Sequence, residues 1–379
     1  MLLYIIVILF CFSLSAIKLP KWAENTGLAL IAFFLCFGYM TGSDWYMYEQ
    51  YFDNAKLSEE IAKSREFGYF LLQNTIGSLG IDFWAFHIFV KLISFYFLVK
   101  FIRHFDLNVF LFLAFFIPNI GLYLFIDCPF RNLIAFAIVL LAYNKLFENK
   151  PILFFIYTII AISFHLSAIF AVIIYFVYRK DIKLSFAIIA SIIIYSIAFN
   201  IDFLVTNIYI PLTNAIPILN ERLKGYFLDS RFITNTINAG SFIRLLILVI
   251  FLAFKEAIVN GDKNRSYIYN LSILYLLLYP LGISMKIIQR FSLFLSPFYA
   301  MSIIYLITSI KIKGNKYILS LFFIAFSFWQ TYSIITVDYR YVPYTNYIFY
   351  WVKKNFPNIE YRHQFNPKHS PYKKHSPQQ

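Results

Sequence analysis

This chain has 379 residues, of which 60% are hydrophobic and only 14% charged, and its mean hydropathy is +0.68. That composition excludes an ordinary soluble domain and points to a polytopic membrane protein. A net charge of +14 would suit nucleic acid on a soluble chain; here the Lys and Arg residues fall in short loops between apolar runs, the topology signal of a membrane protein, so no nucleic-acid partner is expected.

Residues 1–17 form the first apolar run. They could pass for a signal peptide, but they lack a basic leading region and further runs follow, so they are expected to stay as a first helix. Later runs predict helices near 27–41, 83–99, 108–125, 130–144, 152–163, 166–178, 184–199, 241–254, 267–283, 291–310 and 317–336. Several are shorter than the roughly 20 residues that a straight span requires. Residues 152–178 read either as one long tilted helix or as two short ones, and charge decides between them. Lys18/Lys21, Lys100/Arg103, Lys145/Lys150, Arg179/Lys180/Lys183, Lys255/Lys263/Arg265 and Lys311/Lys313/Lys316 mark basic connections. They share one side only if the chain turns near His165. The positive-inside rule makes that side cytoplasmic. The expectation is an all-α, polytopic integral membrane protein of about twelve transmembrane helices with both ends outside. A basic tail with Lys353, Lys354, Arg362, Lys368, Lys373 and Lys374 runs against the rule, which gives less weight to charges far from a span.

Outward segments are then 41–82, 118–130, the turn at His165, 200–240, 284–290 and the tail. The loops 41–82 and 200–240 are long, as functional loops often are. Residues 1–346 are expected to form the transmembrane domain. Beyond them, 347–379 should comprise a short aromatic interfacial segment and a basic, disordered tail. Phe (46) and Tyr (30) are abundant; bilayer interfaces and sugar-binding surfaces both favour aromatic rings.

No Walker A loop, GxGxxG, HExxH or GxSxG occurs, and Cys11, Cys36 and Cys128 form neither a disulfide framework nor a CxxC pair. No metal and no cofactor is expected. A DxD pair, the usual metal holder for a nucleotide-sugar, is also missing. A transferase of this sequence would draw on a lipid-linked sugar.

The polar residues at the outer helix ends form a set: Asp44, Glu66, Asp127, Arg131, His165, Glu221, Arg222, Lys224 and Arg290. Ionisable groups cost about 2.5–3.5 kcal/mol at mid-bilayer and less near the interface, so each needs a partner, water or a ligand. Pro129 suits a first helical turn, which places Arg131 at a helix N-terminus where an anion is already favoured. Its guanidinium could cradle a phosphate, or pair with Asp127 or a lipid headgroup. Arg222 and Arg290 are outward arginines that could help neutralise a diphosphate, or act as interfacial anchors. His165 lies in a long apolar run, as a core residue or as a half-wet imidazole able to move protons. Asp44 could be a general base or the N-cap of a short helix. The rings of Trp45, Tyr46 and Tyr48 could stack on sugars or belong to an aromatic belt.

"GSDWYMYEQYF", "REFGYFLL", "PFRNLIAFAIVL", "FHLSAIF", "ERLKGYF", "QRFSLF" and "VPYTNYI" follow one another in that order. Together they resemble the EpsG-type family of bacterial polysaccharide polymerases, related in role to the O-antigen polymerases called Wzy, from about Gly42 to Tyr347. The departures are small: Glu221 precedes Arg222 where the family often has Tyr. The resemblance implies a multi-helix membrane glycosyltransferase of GT-C-like type in the bacterial inner membrane. It would join undecaprenyl-diphosphate-linked repeat units on the periplasmic face, with a chain-length regulator as a further partner. Asp44 or His165 would then activate the acceptor hydroxyl, Arg131, Arg222 and Arg290 would hold the diphosphate, and Trp45, Tyr46 and Tyr48 are candidate sugar contacts. The product could be O-antigen, capsule or exopolysaccharide.

Two other readings fit parts of the sequence. A flippase or transporter of lipid-linked oligosaccharide should place charges along a central cavity and often has an internal repeat. A glycan O-acyltransferase would need an acyl donor reached from the cytoplasm, and the inward loops carry no evident catalytic His.

Overall fold

The computed structural model describes residues 1–54, 66–209, 238–337, 339–357 and 361. Among them the protein is helical, with one isolated bridge between Gly38 and Asn346 and no strand. Each of the twelve apolar runs contains a helix. Five helices are long and apolar enough to cross a membrane: Phe83–Arg103, Phe130–Phe147, Lys263–Ser284, Lys286–Ser309 and Lys313–Thr336. Leu184–Phe199 with Ile201–Asn207 makes a sixth if that bent pair is one span. Shorter apolar helices, such as Leu2–Ser15 and Pro151–Phe164, accompany them. A multi-pass membrane protein follows from these helices. The chain divides into two compact units, Met1–Leu166 with Leu321–Gln379, and Ser167–Ser320.

The first unit holds α1 (Leu2–Ser15), α2 (Lys21–Cys36), α3 (Trp45–Asp53), α4 (Phe67–Ser78), α5 (Phe83–Arg103), α6 (Val109–Phe116), α7 (Phe130–Phe147) and α8 (Pro151–Phe164). Asp82 caps α5 by accepting from the Trp84 and Ala85 N–H groups at 2.9 and 3.1 Å, and Lys100 and Arg103 in its last turn complement the helix dipole. Twenty-one residues give α5 a length of about 31 Å, enough to cross the hydrocarbon. Central to the unit is α7, where Leu133, Ala135, Val139, Leu140 and Ala142 are all fully buried. Only a stripe of α8 is buried, Phe154, Thr158 and Ala161; Ile152, Ile156, Ile159 and Ile160 are exposed on its other faces, as suits a helix that meets lipid.

After α6 the helix widens into π turns, Ile117–Gly121 and Tyr123–Asp127. Pro118 has no N–H for the usual bond to the preceding turn, which favours such a widening. Cys128 then takes a left-handed conformation, φ 52°, and breaks the helix before Pro129. Residues 339–347 return across the start of the chain. Tyr4 Oη donates to the Tyr341 carbonyl at 2.5 Å, Tyr344 Oη to the Phe34 carbonyl at 2.7 Å, and the N–H groups of Tyr39 and Tyr347 to the carbonyls of Thr345 and Phe37 at 2.9 and 2.8 Å. These bonds make the "VPYTNYI" stretch a strap over residues 37–42. The short helix Tyr347–Lys353 follows it, with Phe349, Trp351 and Val352 exposed.

The second unit contains Phe170–Val177, Leu184–Phe199, Ala239–Ala253, Lys263–Ser284, Lys286–Ser292 and Ser296–Ser309. Asp262 caps Lys263–Ser284 through the Arg265 N–H at 2.8 Å. In its interior the Ser272 hydroxyl lies 2.7 Å from the Phe298 carbonyl and 2.6 Å from Ser302 Oγ, the kind of small-residue contact that joins helices without a hydrophobic driving force. Residues 152–178 form two helical pieces, since the chain leaves helical geometry at His165, φ −157° and ψ 127°. Arg290 is the fifth residue of the helical stretch Lys286–Ser309, in the last turn of its first segment, Lys286–Ser292.

Candidate active site

The candidate residues of the first unit gather where α3, α4, α7 and α8 meet. Gly42 makes the first approach. Its φ of +87° suits glycine, and a Cβ there would lie 2.4 Å from Asp127 Cα and 2.5 Å from the Ile126 carbonyl oxygen. This contact brings Ser43 onto Asp127, whose Oδ1 accepts from the Ser43 N–H at 2.7 Å. The Ser43 hydroxyl lies 2.9 Å from both Asp127 Oδ1 and Asp44 Oδ1; with one proton it donates to one carboxylate at a time. Arg340, on the strap, places Nη1 3.8 Å from Asp127 Oδ1. Asp44 occupies the N-cap position of α3, but its carboxyl makes no capping bond, and its own backbone is already helical. The capping role expected as its plain alternative is therefore not what holds it.

Arg131 sits one residue inside α7, after Pro129 at the N-cap and Phe130. Its Nε donates to Tyr48 Oη at 3.1 Å, and its Nη1 donates to Glu66 Oε2. The other Glu66 oxygen lies 2.6 Å from His165 Nδ1. Asp127, four residues before Arg131, is not its partner: the π turns and the left-handed Cys128 turn that carboxylate toward Ser43. No hydrogen bond engages Arg131 Nη2 among the described residues. Side-chain exposures of 21% for Arg131 and 12% for Glu66 and His165 put the trio below the surface yet within reach of it. Removing one member of a buried ion pair strands the other charge, at about 3–5 kcal/mol.

Burial alone would push the Glu66 carboxyl up; the His165 hydrogen bond and the Arg131 charge outweigh it, and the net shift is downward. Glu66 is thus a carboxylate at neutral pH. Burial pushes the Tyr48 phenol up to about 12, so it remains a neutral hydroxyl that accepts from Arg131. Of the three aromatic candidates, Trp45 and Tyr48 are buried, at 3% and 4% exposure. Trp45 packs against Trp84, and Tyr48 against Tyr69 and Phe130. Tyr46 is half-buried. Arg290 belongs to the second unit. Arg222, with Glu221 and Lys224, lies outside the described residues, as does the tail beyond residue 361.

These distances join four of the quoted motifs, "GSDWYMYEQYF", "REFGYFLL", "PFRNLIAFAIVL" and "FHLSAIF", in one place. The sequence profile of the EpsG family matches residues 25–346. The chain belongs to the EpsG family. No curated protein and no solved structure gives a match. Within this EpsG-family chain the matched span covers the site trio, the Asp44 loop and the strap as far as Asn346.

Other polar groups emerge only in three dimensions. Lys91 and His87, one turn apart on α5, are 0% and 1% exposed, and neither side chain has a hydrogen-bond partner among the described residues. In sequence both merge into the run "FWAFHIFVKLI", where a Lys reads as a side chain that reaches for the interface. In the second unit Arg244 is 3% exposed, with its guanidinium 3.7 Å from the centroid of the Tyr279 ring and Nη1 3.3 Å from the Gly240 carbonyl. An arginine inside the run 241–254 was the signal that could have found it.

Proposed function

We propose that this EpsG-family protein is a polysaccharide polymerase of the bacterial inner membrane, a glycosyltransferase that joins undecaprenyl-diphosphate-linked repeat units at the periplasmic face. The observation that carries the proposal is Arg131: a guanidinium in the first turn of a membrane helix, oriented by Tyr48 and Glu66 with Nη2 uncommitted, with His165 on the other oxygen of Glu66 and Asp44 acting on Tyr48. In the reaction, the non-reducing-end hydroxyl of the incoming repeat attacks the anomeric carbon of the growing chain. The bond from that carbon to the diphosphate oxygen breaks, and its electron pair leaves with the lipid diphosphate. Asp44 or His165 takes the hydroxyl proton. Arg131 meets the charge that develops on the departing oxygens, aided by the N–H groups of the α7 start. Arg222 and Arg290 keep the anion-binding role that the family pattern gives them, and Tyr46 is the aromatic candidate with surface left for a sugar. A twelve-span, GT-C-like topology and a chain-length regulator belong to the same proposal.

Deleting the gene and displaying surface glycan on a gel tests the reading. Loss of a polymerase leaves single repeats capped on lipid and removes the ladder; loss of a flippase removes both; loss of an acyltransferase keeps the ladder. Complementation with Arg131→Ala is expected to lower polymerisation at least about 100-fold, and Arg131→Lys to restore little, because an ammonium cannot bridge Tyr48, Glu66 and a phosphate at once.

A further inference from the structure

We propose that Glu66 is the positioning residue that makes His165 the base of this site. The inference rests on the polymerase reading and settles a choice it leaves open, between Asp44 and His165. A base that takes a hydroxyl proton works best in one tautomer and one orientation. Glu66 Oε1, 2.6 Å from Nδ1, provides both. An imidazole that gives its Nδ1 proton to a carboxylate carries its lone pair on Nε2, a nitrogen buried in this structure that the acceptor hydroxyl has to reach on binding. The carboxylate then stabilises the imidazolium formed when the proton has moved. The second Glu66 oxygen accepts from Arg131, so one side chain sets both the base and the guanidinium that receives the leaving group.

The backbone around Glu66 is built for this contact. Although it stands at the N-cap position of α4, its carboxyl makes no capping bond and is directed to Arg131 and His165. Two residues on, a Cβ at Gly68 would lie 2.3 Å from Ser163 Oγ and 3.1 Å from the Ser163 carbonyl carbon. The start of α4 therefore abuts the end of α8, closer than any side chain allows, and the Leu166 N–H also reaches the carboxylate. Glu66 is the titratable group bonded to His165, and Arg131 from α7, Tyr69 from α4 and Tyr48 from α3 act on Glu66 or on one another. The imidazole is 12% exposed and its Nε2 is buried, which keeps bulk water from that nitrogen.

The test is the pH profile of elongation in membrane vesicles from the deletion strain, which hold the accumulated single lipid-linked repeat, supplied with the full-length protein. The base must be unprotonated, so the rate falls at low pH. For His165 the acid limb should lie at or above about 6.5, whereas a carboxylate base would place it near 4. The Glu66 carboxylate favours the imidazolium; Glu66→Gln should move the limb about one unit lower and reduce the plateau at least about tenfold. Glu66→Asp, which keeps the charge at a longer reach, should fall between the two. If Glu66→Gln does not accumulate in the membrane, Glu66→Asp and His165→Gln carry the comparison. A limb near 4, or a limb that stays in place in the Glu66 variants while the plateau drops, overturns the proposal and leaves Glu66 a structural ion-pair partner. Wild-type vesicles that elongate nothing at any pH overturn the polymerase reading itself.

Discussion

Gly68 and Gly42 each sit where a single methyl group would collide with the site, but the obstacles differ. At Gly68 the nearest atom is a side-chain hydroxyl, Ser163 Oγ; at Gly42 it is the backbone of Asp127 and Ile126. Gly68→Ala is expected to push α4 from α8, part Glu66 from His165 and cut polymerisation by about tenfold or more, as misplacement by about 1 Å does. Adding Ser163→Ala should recover part of that loss. Gly42→Ala has no such remedy, since φ +87° strains any Cβ and no side chain can be trimmed to admit it. Ladder length on a gel, scored beside the amount of protein in the membrane, separates the three cases; equal recovery in Gly42→Ala on trimming Ser163 would contradict the geometry.

At the scale of elements, the apolar runs were readable because each buries or faces lipid along its whole length. The break at His165 was readable because the basic connections share one side only if the chain turns there. The pairing of Arg131 was not. Spacing of four residues makes Asp127 the natural partner on a regular helix, and nothing local announces the π turns that turn it away. Glu66, 65 residues earlier in the chain, is the partner instead. The strap was quoted as a motif, yet its work is mechanical: it holds residues 37–42 by backbone bonds and brings Arg340 to Asp127. A chain cut after Thr336 keeps Asp44, Glu66, Arg131 and His165. It is expected to lose polymerisation entirely, while a chain cut after Asn355 retains it. Activity in the shorter chain, measured by ladder formation at matched membrane levels, would show that the loop holds its shape without the strap.

Across the molecule, charge separates the two helix ends within each unit. In the first, Arg103 Nη2 meets Glu24 Oε1 at 2.5 Å, and Phe105 packs on Phe147 with ring centroids 4.9 Å apart. The connections at Lys18/Lys21, Lys100/Arg103 and Lys145/Lys150 therefore share one end. In the second, Lys255 Nζ lies 2.7 Å from Asp181 Oδ1, and Arg265 Nη1 3.3 Å from Ser309 Oγ, which gathers its basic connections likewise. Arg131 begins α7 and Lys145 closes it, about 21 Å apart along the axis. The site thus occupies the end of its unit away from the basic connections. The positive-inside rule then predicts sidedness. Single cysteines at Lys150 and Lys18 should react with an impermeant maleimide only after the membrane is opened, and a cysteine at Gln50 should react in intact spheroplasts. The reverse pattern would place the chemistry in the cytoplasm.

The strap also dictates an order of manufacture. Helices α1 and α2 leave the ribosome first, but Thr345 and Tyr347, which bind the segment after α2, are among the last described residues to be synthesised. Every intermediate on the translocon has its Asp44 loop unfastened. A chain that terminates before residue 339 leaves the segment after α2 without these bonds, whatever portion of the membrane helices it has managed to insert.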